Sequence, residues 1–162
     1  RGVMTGWIGY TLGRVEHTFP ELNNGLAFPA DHDRRHEVNV VARRTVGEWT
    51  FAATWTYATG RAYTAPESEY AIRLLDGEYL SYIHVSGKNE NRLPAYHRLD
   101  LSASRRIETE KWYYEVGISL FNAYNHRNVW YREYQLDTSP ITVTDALMLG
   151  FTPTIYVQVN LK

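Results

Sequence analysis

The sequence predicts an all-β protein, part of an antiparallel, up-and-down transmembrane β-barrel, with about six strands of a larger barrel in this chain. Three observations carry that prediction. Apolar and polar residues alternate with a period of two again and again along the 162 residues, and helical periodicity is nearly absent. Aromatics reach 14%, led by 13 Tyr and 5 Trp, in a chain whose mean hydropathy is only −0.44, as a sheet with one apolar and one polar face requires. Connections alternate between tight turns and long loops, the pattern of an outer-membrane barrel.

Taken in order, segment 8–14 sets Ile8, Tyr10 and Leu12 against Gly9, Thr11 and Gly13. A long loop over 16–34 leads to 36–43, where Val38, Val40 and Ala42 oppose Glu37, Asn39 and Arg43. After the tight turn Val46-Gly47-Glu48 comes the clearest strand, with Trp49, Phe51, Ala53, Trp55 and Tyr57 on one face and Thr50, Ala52, Thr54, Thr56, Ala58 and Gly60 on the other. At strand rise Trp49 to Tyr57 spans about 26 Å, or about 20 Å of height when tilted by about 40°, close to an apolar band of about 25 Å. A second long loop covers 62–95, in which Asp76-Gly77 is a turn signal that predicts a hairpin over 70–84. Segment 97–107 puts His97, Leu99, Leu101, Ala103 and Ile107 together, with Arg105 as an exception, against Tyr96, Arg98, Asp100, Ser102, Ser104 and Arg106. The turn 108–111 leads to Trp112, Tyr114, Val116, Ile118 and Leu120 against Tyr113, Glu115, Gly117, Ser119 and Phe121. A loop near 136–147 precedes a last strand with Ile155, Val157, Val159 and Leu161 opposite Tyr156, Gln158, Asn160 and Lys162. Six strands cannot close a barrel, for which about eight are the usual minimum. Alone in buffer the chain is expected to expose two sheet edges and aggregate.

The totals exclude other classes. There is no cysteine, so disulfide frameworks, thiolate metal sites and thiol catalysis fall away. A net charge of −1 gives no field that points to nucleic acid. No apolar run approaches the roughly 18 residues of a membrane helix. The opening Arg1-Gly2-Val3-Met4 carries no leader and runs directly into strand-like sequence, so it reads as the cut edge of a longer protein.

Four phrases go further than pattern. Phe28-Pro29-Ala30-Asp31-His32-Asp33-Arg34-Arg35-His36, Tyr57-Ala58-Thr59-Gly60-Arg61-Ala62-Tyr63-Thr64, Asn91-Arg92-Leu93-Pro94-Ala95-Tyr96-His97-Arg98-Leu99-Asp100-Leu101 and Leu120-Phe121-Asn122-Ala123-Tyr124-Asn125-His126-Arg127-Asn128 stand in this order along the chain. Each resembles a phrase of the TonB-dependent outer-membrane receptors, most closely those of the Bacteroidetes type. The resemblance implies a barrel of about 22 strands with a plugged lumen, and energy-coupled uptake of a scarce solute such as an iron chelate, vitamin, oligosaccharide or peptide. The partners it implies are outer-membrane lipid, the family's own plug domain, the TonB system and a solute, with a surface lipoprotein as a further possibility. The location it implies is the outer membrane of a Gram-negative cell. No cofactor is implied. The plug and the TonB-contacting segment, which the family carries at its N-terminus, are not in this sequence. The family's usual terminal aromatic is replaced by Leu161-Lys162, and one more aromatic would extend the outward set 155, 157, 159, 161, so the chain is expected to be clipped at both ends.

Candidate sites are each weighed against a plainer role. Asp31, His32, Asp33 and His36 are metal-ligand types, but a loop-to-strand transition in which Asp33 and Arg34 bond neighbouring strands explains them better. No metal site is predicted. Arg98 and Asp100 share the inward side and suit a structural pair, whereas His97 points to the membrane interface. Ser102, Ser104 and Ser119 have no His with a carboxylate behind it on their face, so no catalytic triad is predicted. Glu37, Arg43, Arg98, Asp100, Arg106 and Glu115 form an inward charged set that contacts a plug, lines a solute path or simply keeps the lumen wet. Arg61, Tyr63, Tyr70, Arg73, Tyr79, Tyr82 and His84, joined by Trp130, Tyr131 and Tyr134, are candidate ligand contacts, because Tyr and Arg give large contact area at small entropic cost. A girdle or packed loop is the plainer role for them. A soluble β-sandwich that binds glycans through exposed Tyr and Trp is the alternative function, and it needs the Trp49–Tyr57 face buried against a second sheet. An outer-membrane barrel enzyme needs a nucleophile and base at the rim, and the sequence offers none.

Overall fold

The computed structural model describes residues 3–136, 138 and 140–161, the side chain of Ser81 excepted. The expectations for Arg1-Gly2 and Lys162, and for two positions of the 136–147 loop, lie outside those residues. About 63% of the chain is strand, and among the described residues there is no α-helix and every paired ladder is antiparallel. In order the strands are β1 (Val3–Leu12), β2 (Glu16–His17), β3 (Phe28–Pro29), β4 (His36–Val46), β5 (Trp49–Ala58), β6 (Ala62–Tyr63), β7 (Pro66–Arg73), β8 (Tyr79–Val85), β9 (Asn91–Arg92), β10 (Tyr96–Glu108), β11 (Trp112–Phe121), β12 (Val129–Gln135), β13 (Thr142–Leu147) and β14 (Thr152–Leu161). A single 3₁₀ turn spans Asn23–Gly25.

Six long strands form one sheet in the order β1-β4-β5-β10-β11-β14. The sheet is open, not a closed barrel, and among the described residues nothing pairs with the outer edges of β1 and β14. Its register sorts the side chains by type. Across the strands Ile8, Val40, Trp55 and Leu99 share one row, and Phe51, Ala103, Ile118 and Ile155 share another. The opposite face carries Asn39 beside Thr56, Arg98 beside Thr56, Asp100 beside Thr54 and Glu115 beside Gln158. A slip of one residue would exchange the faces throughout, so this alternation fixes the register. Gly47, at φ +60, is the first central residue of a two-residue hairpin between Val46 and Trp49, the place where a II′ turn needs glycine.

The strands are staggered. β10 pairs with β5 from Tyr96 but meets β11 only from Leu101 onward, the stepped shear of strands tilted across a curved wall. Among the described residues no second layer covers either broad face, since the long strands contact chiefly their ladder neighbours. Ile155 is 75% exposed and Val157 63%. The buried apolar residues Phe28, Ala30, Ala58, Ala62, Ala65 and Leu93 all gather at the loop end instead. Two hairpins rise from that end, β7–β8 and β12–β13. The first overlaps the hairpin expected over 70–84; the second occupies sequence that the alternation assigned in part to a loop.

Candidate functional site: the loop end of the sheet

The four phrases become one structure at the loop end. Asp33 is 1% exposed and forms an ion pair with Arg92 across 59 positions. The Val15 amide donates to the Asp33 carboxylate at 2.7 Å, and Arg92 also donates to the carbonyls of Asp33 (2.9 Å) and Gly60 (3.1 Å). Burial alone would raise the Asp33 carboxyl, but the bonds from Arg92 and Val15 outweigh it and hold the group below its usual range. Gly60 permits the crossing, because a Cβ there would lie 1.6 Å from the Leu93 carbonyl oxygen. Asn89, at φ +60 and 2% exposed, ties the same region together. It donates from its side chain to the Pro29 carbonyl (2.8 Å) and the Asp31 carboxylate (2.6 Å), and from its amide to the Thr64 hydroxyl (3.0 Å). The Asn89 bond above all keeps the Asp31 carboxyl low.

The fourth phrase contributes three asparagines. Asn122, fully buried at φ +53, accepts from the His126 amide at 3.0 Å and donates to the carbonyls of His126 (2.9 Å) and Leu149 (3.3 Å). Asn125 accepts from the Phe151 amide at 2.9 Å, which fixes the entry to β14. Asn128 exchanges two bonds with the backbone of His97, at 3.0 and 2.9 Å. Asparagine suits these posts because it carries both donor and acceptor, and at 122 and 125 because it also tolerates positive φ.

The predicted metal-ligand types do not converge. Asp31 goes to Asn89 and Lys88, Asp33 to Arg92, and the His36 ring to the Tyr10 hydroxyl at 2.8 Å. Arg34 lies 3.7 Å from Glu37 and over the Tyr96 ring.

Of the predicted ligand contacts, the structure brings four together. Arg61 donates to the Trp130 carbonyl at 2.5 Å, and the hydroxyls of Tyr63 and Tyr134 lie 3.2 Å apart. The sequence reading missed what organises them: Arg132 grips Asp145 with two bonds, at 2.6 and 2.9 Å, and donates to the Tyr63 hydroxyl at 3.2 Å. Asp145 holds the Arg132 guanidinium in its charged form and Arg132 lowers the Asp145 carboxyl, while burial and then Tyr63 push the Tyr134 phenol up. Of the remaining six, Tyr131 on β12 packs edge-on against Trp130 with ring centroids 5.3 Å apart, and five stand on the β7–β8 hairpin. Tyr70 and Tyr82 stack as a cross-strand pair with centroids 5.8 Å apart, Arg73 faces Tyr79 in register, and His84 lies 3.7 Å from Glu67. Between the hairpins is a cleft of about 390 Å³, lined by Glu67 and Glu69 on one side and Tyr134, Ile141 and Val143 on the other.

The charged set lies on the polar face. Arg98 pairs with Asp100 at 2.9 Å, and Arg106 pairs with Glu108 at 3.0 Å while lying over Tyr113. Glu115 accepts from the Tyr156 hydroxyl at 3.2 Å. Arg43, Arg106 and Glu115 line a polar hollow of about 510 Å³ near the short turns. The histidines of the long strands, His36 and His97, point to the apolar face, away from Ser102, Ser104 and Ser119. The site can therefore bind by shape, ring faces and hydrogen bonds, and these groups form no nucleophile–base pair. Compared with family descriptions, curated proteins and solved structures, the chain finds no match among any of the three.

Proposed function

We propose that the chain is a stretch of the wall of an outer-membrane β-barrel receptor that takes up a scarce solute with TonB-supplied energy. The observation that carries the barrel part is the single-layer sheet, with one face mainly apolar across all six strands and uncovered among the described residues, and the other mainly polar. In water such a face has no counterpart among the described residues, and lipid supplies one. The staggered ladders and the sorting of tight turns to one end and long loops to the other agree with a wall of tilted strands. The receptor part rests on the four phrases, whose residues build the clamp and the asparagine posts. In this reading the polar face turns to a plug, and Tyr63, Tyr134 and the β7–β8 aromatics meet the solute from outside. The sandwich alternative asks for a second sheet over Trp49 and Phe51, which are 44% and 47% exposed.

The test is an immunoblot against this segment on separated membranes of the source cell. A heat-modifiable band in the outer membrane, well above the mass of 162 residues, is expected. A soluble band at the mass of the chain alone overturns the reading.

A further inference from the structure

The apolar face carries two arginines in its turn-side half, and the structure treats them differently. Arg105 is neutralised by Glu48 at 2.9 Å and lies over the Trp49 ring. Arg44, in register with Met4 on one side and Phe51 on the other, has no hydrogen bond, ion pair or ring contact among the described residues. It borders an apolar depression of about 440 Å³ whose other walls include Met4, Phe51, Ala53, Leu101 and Ile118. The depression extends from Arg44 toward the loops: Ala42, Ala53, Leu101 and Leu120 form the row next to it on that side.

The geometry points to a phospholipid site on the outer wall, in which Arg44 takes the phosphate of an anionic lipid from the turn-side leaflet and the depression takes an acyl chain. The inference rests on the membrane reading above. An unpaired guanidinium in an apolar band is costly away from the interface, so Arg44 needs an anion or must reach water past the turn. A phosphate offers the planar, two-bond partner that a guanidinium fits. The order of groups along the wall matches a lipid of that leaflet, with its head toward the turns and its chains toward mid-membrane.

The protein extracted from its own outer membrane in neutral detergent, with dioleoyl phosphatidylglycerol added, tests this by native mass spectrometry. Wild type is expected to retain one lipid, with affinity about tenfold lower in Arg44→Gln, the loss of one charge-assisted contact. Ala53→Phe, which fills the depression, should lower it similarly, and Arg105→Gln should leave it unchanged. Heat-modifiability of each variant shows that the barrel has folded. Equal retention by wild type and Arg44→Gln, equal retention of zwitterionic phosphatidylcholine, or a second copy of the chain on this face overturns the site while the membrane reading stands. A protein recovered outside the membrane removes both.

Discussion

Replacing Asp33 by Asn removes one charge from the clamp at the loop end while keeping its shape. Taking one partner from a buried ion pair costs about 3–5 kcal/mol when the other charge is stranded. Arg92 is not wholly stranded, because its side chain is 33% exposed, and partial rehydration lowers the expected cost to about 2–3 kcal/mol. The amide of Asn can orient its oxygen toward the Val15 N–H, so that bond (2.7 Å) survives in Asn and is lost in Ala. A further 1 kcal/mol or so therefore separates Asp33→Ala from Asp33→Asn. The cost falls on the junction of loop 16–34 with β9 and not on the long ladders, so the assay is limited proteolysis of the intact protein in its membrane. About 2 kcal/mol raises the open population roughly thirtyfold, and cleavage in that loop should accelerate in proportion. An Asp33→Asn protein cleaved at the wild-type rate would refute the clamp. So would a double variant with Arg92→Gln that loses the full sum of the two single effects, since contacting partners must be coupled.

The same clamp carries a pH dependence. Asp33 has a folded value below its unfolded value of about 3.9, so its stabilisation is complete above that value and is lost as pH falls through the lower folded one; protection of the Val15 amide from hydrogen exchange should fall below about pH 4 and not near neutrality. Asn122→Ala removes three side-chain bonds at a buried, positive-φ position and should cost about 2–4 kcal/mol, read as a lower temperature for loss of the folded band on semi-native gels. Arg132→Gln should leave the long ladders intact but speed exchange in β12 and β13, because the grip on Asp145 and Tyr63 is gone.

What the sequence shows plainly is the wall. Each long strand keeps a two-residue alternation against a shared face, broken at a few positions such as Arg44 and Arg105, and a local pattern of that kind needs no knowledge of partners. The expected strands at 36–43 and 97–107 run to Val46 and Glu108 in the structure, since the ladders continue through Arg44 and Thr45 to the turn and through Glu108 opposite Tyr113. β12 was less legible. Val129-Trp130-Tyr131-Arg132-Glu133-Tyr134-Gln135 mixes aromatic and charged residues on both sides, so no face announces itself. The clamp was half legible, since Asp33 suggested a bond to a neighbouring strand but nothing local points to Arg92. Arg132 and Asp145 escaped because their pairing is set by hairpin register, not by spacing. The recurring asparagines at 122, 125 and 128 were the available signal for the posts that hold β10 and β14.

The most direct test of the lipid-facing assignment uses single cysteines, which these 162 residues lack, with any cysteine elsewhere in the protein first replaced by serine. Cysteines placed one at a time at Thr154, Ile155, Val157 and Gln158 are labelled in intact outer membranes with a nitroxide, and collisions with oxygen and with a water-soluble nickel chelate are compared. The account predicts strict alternation, with positions 155 and 157 favouring oxygen and positions 154 and 158 favouring the chelate. Equal access of the chelate to both sets, or protection of both sets from both quenchers, would contradict it.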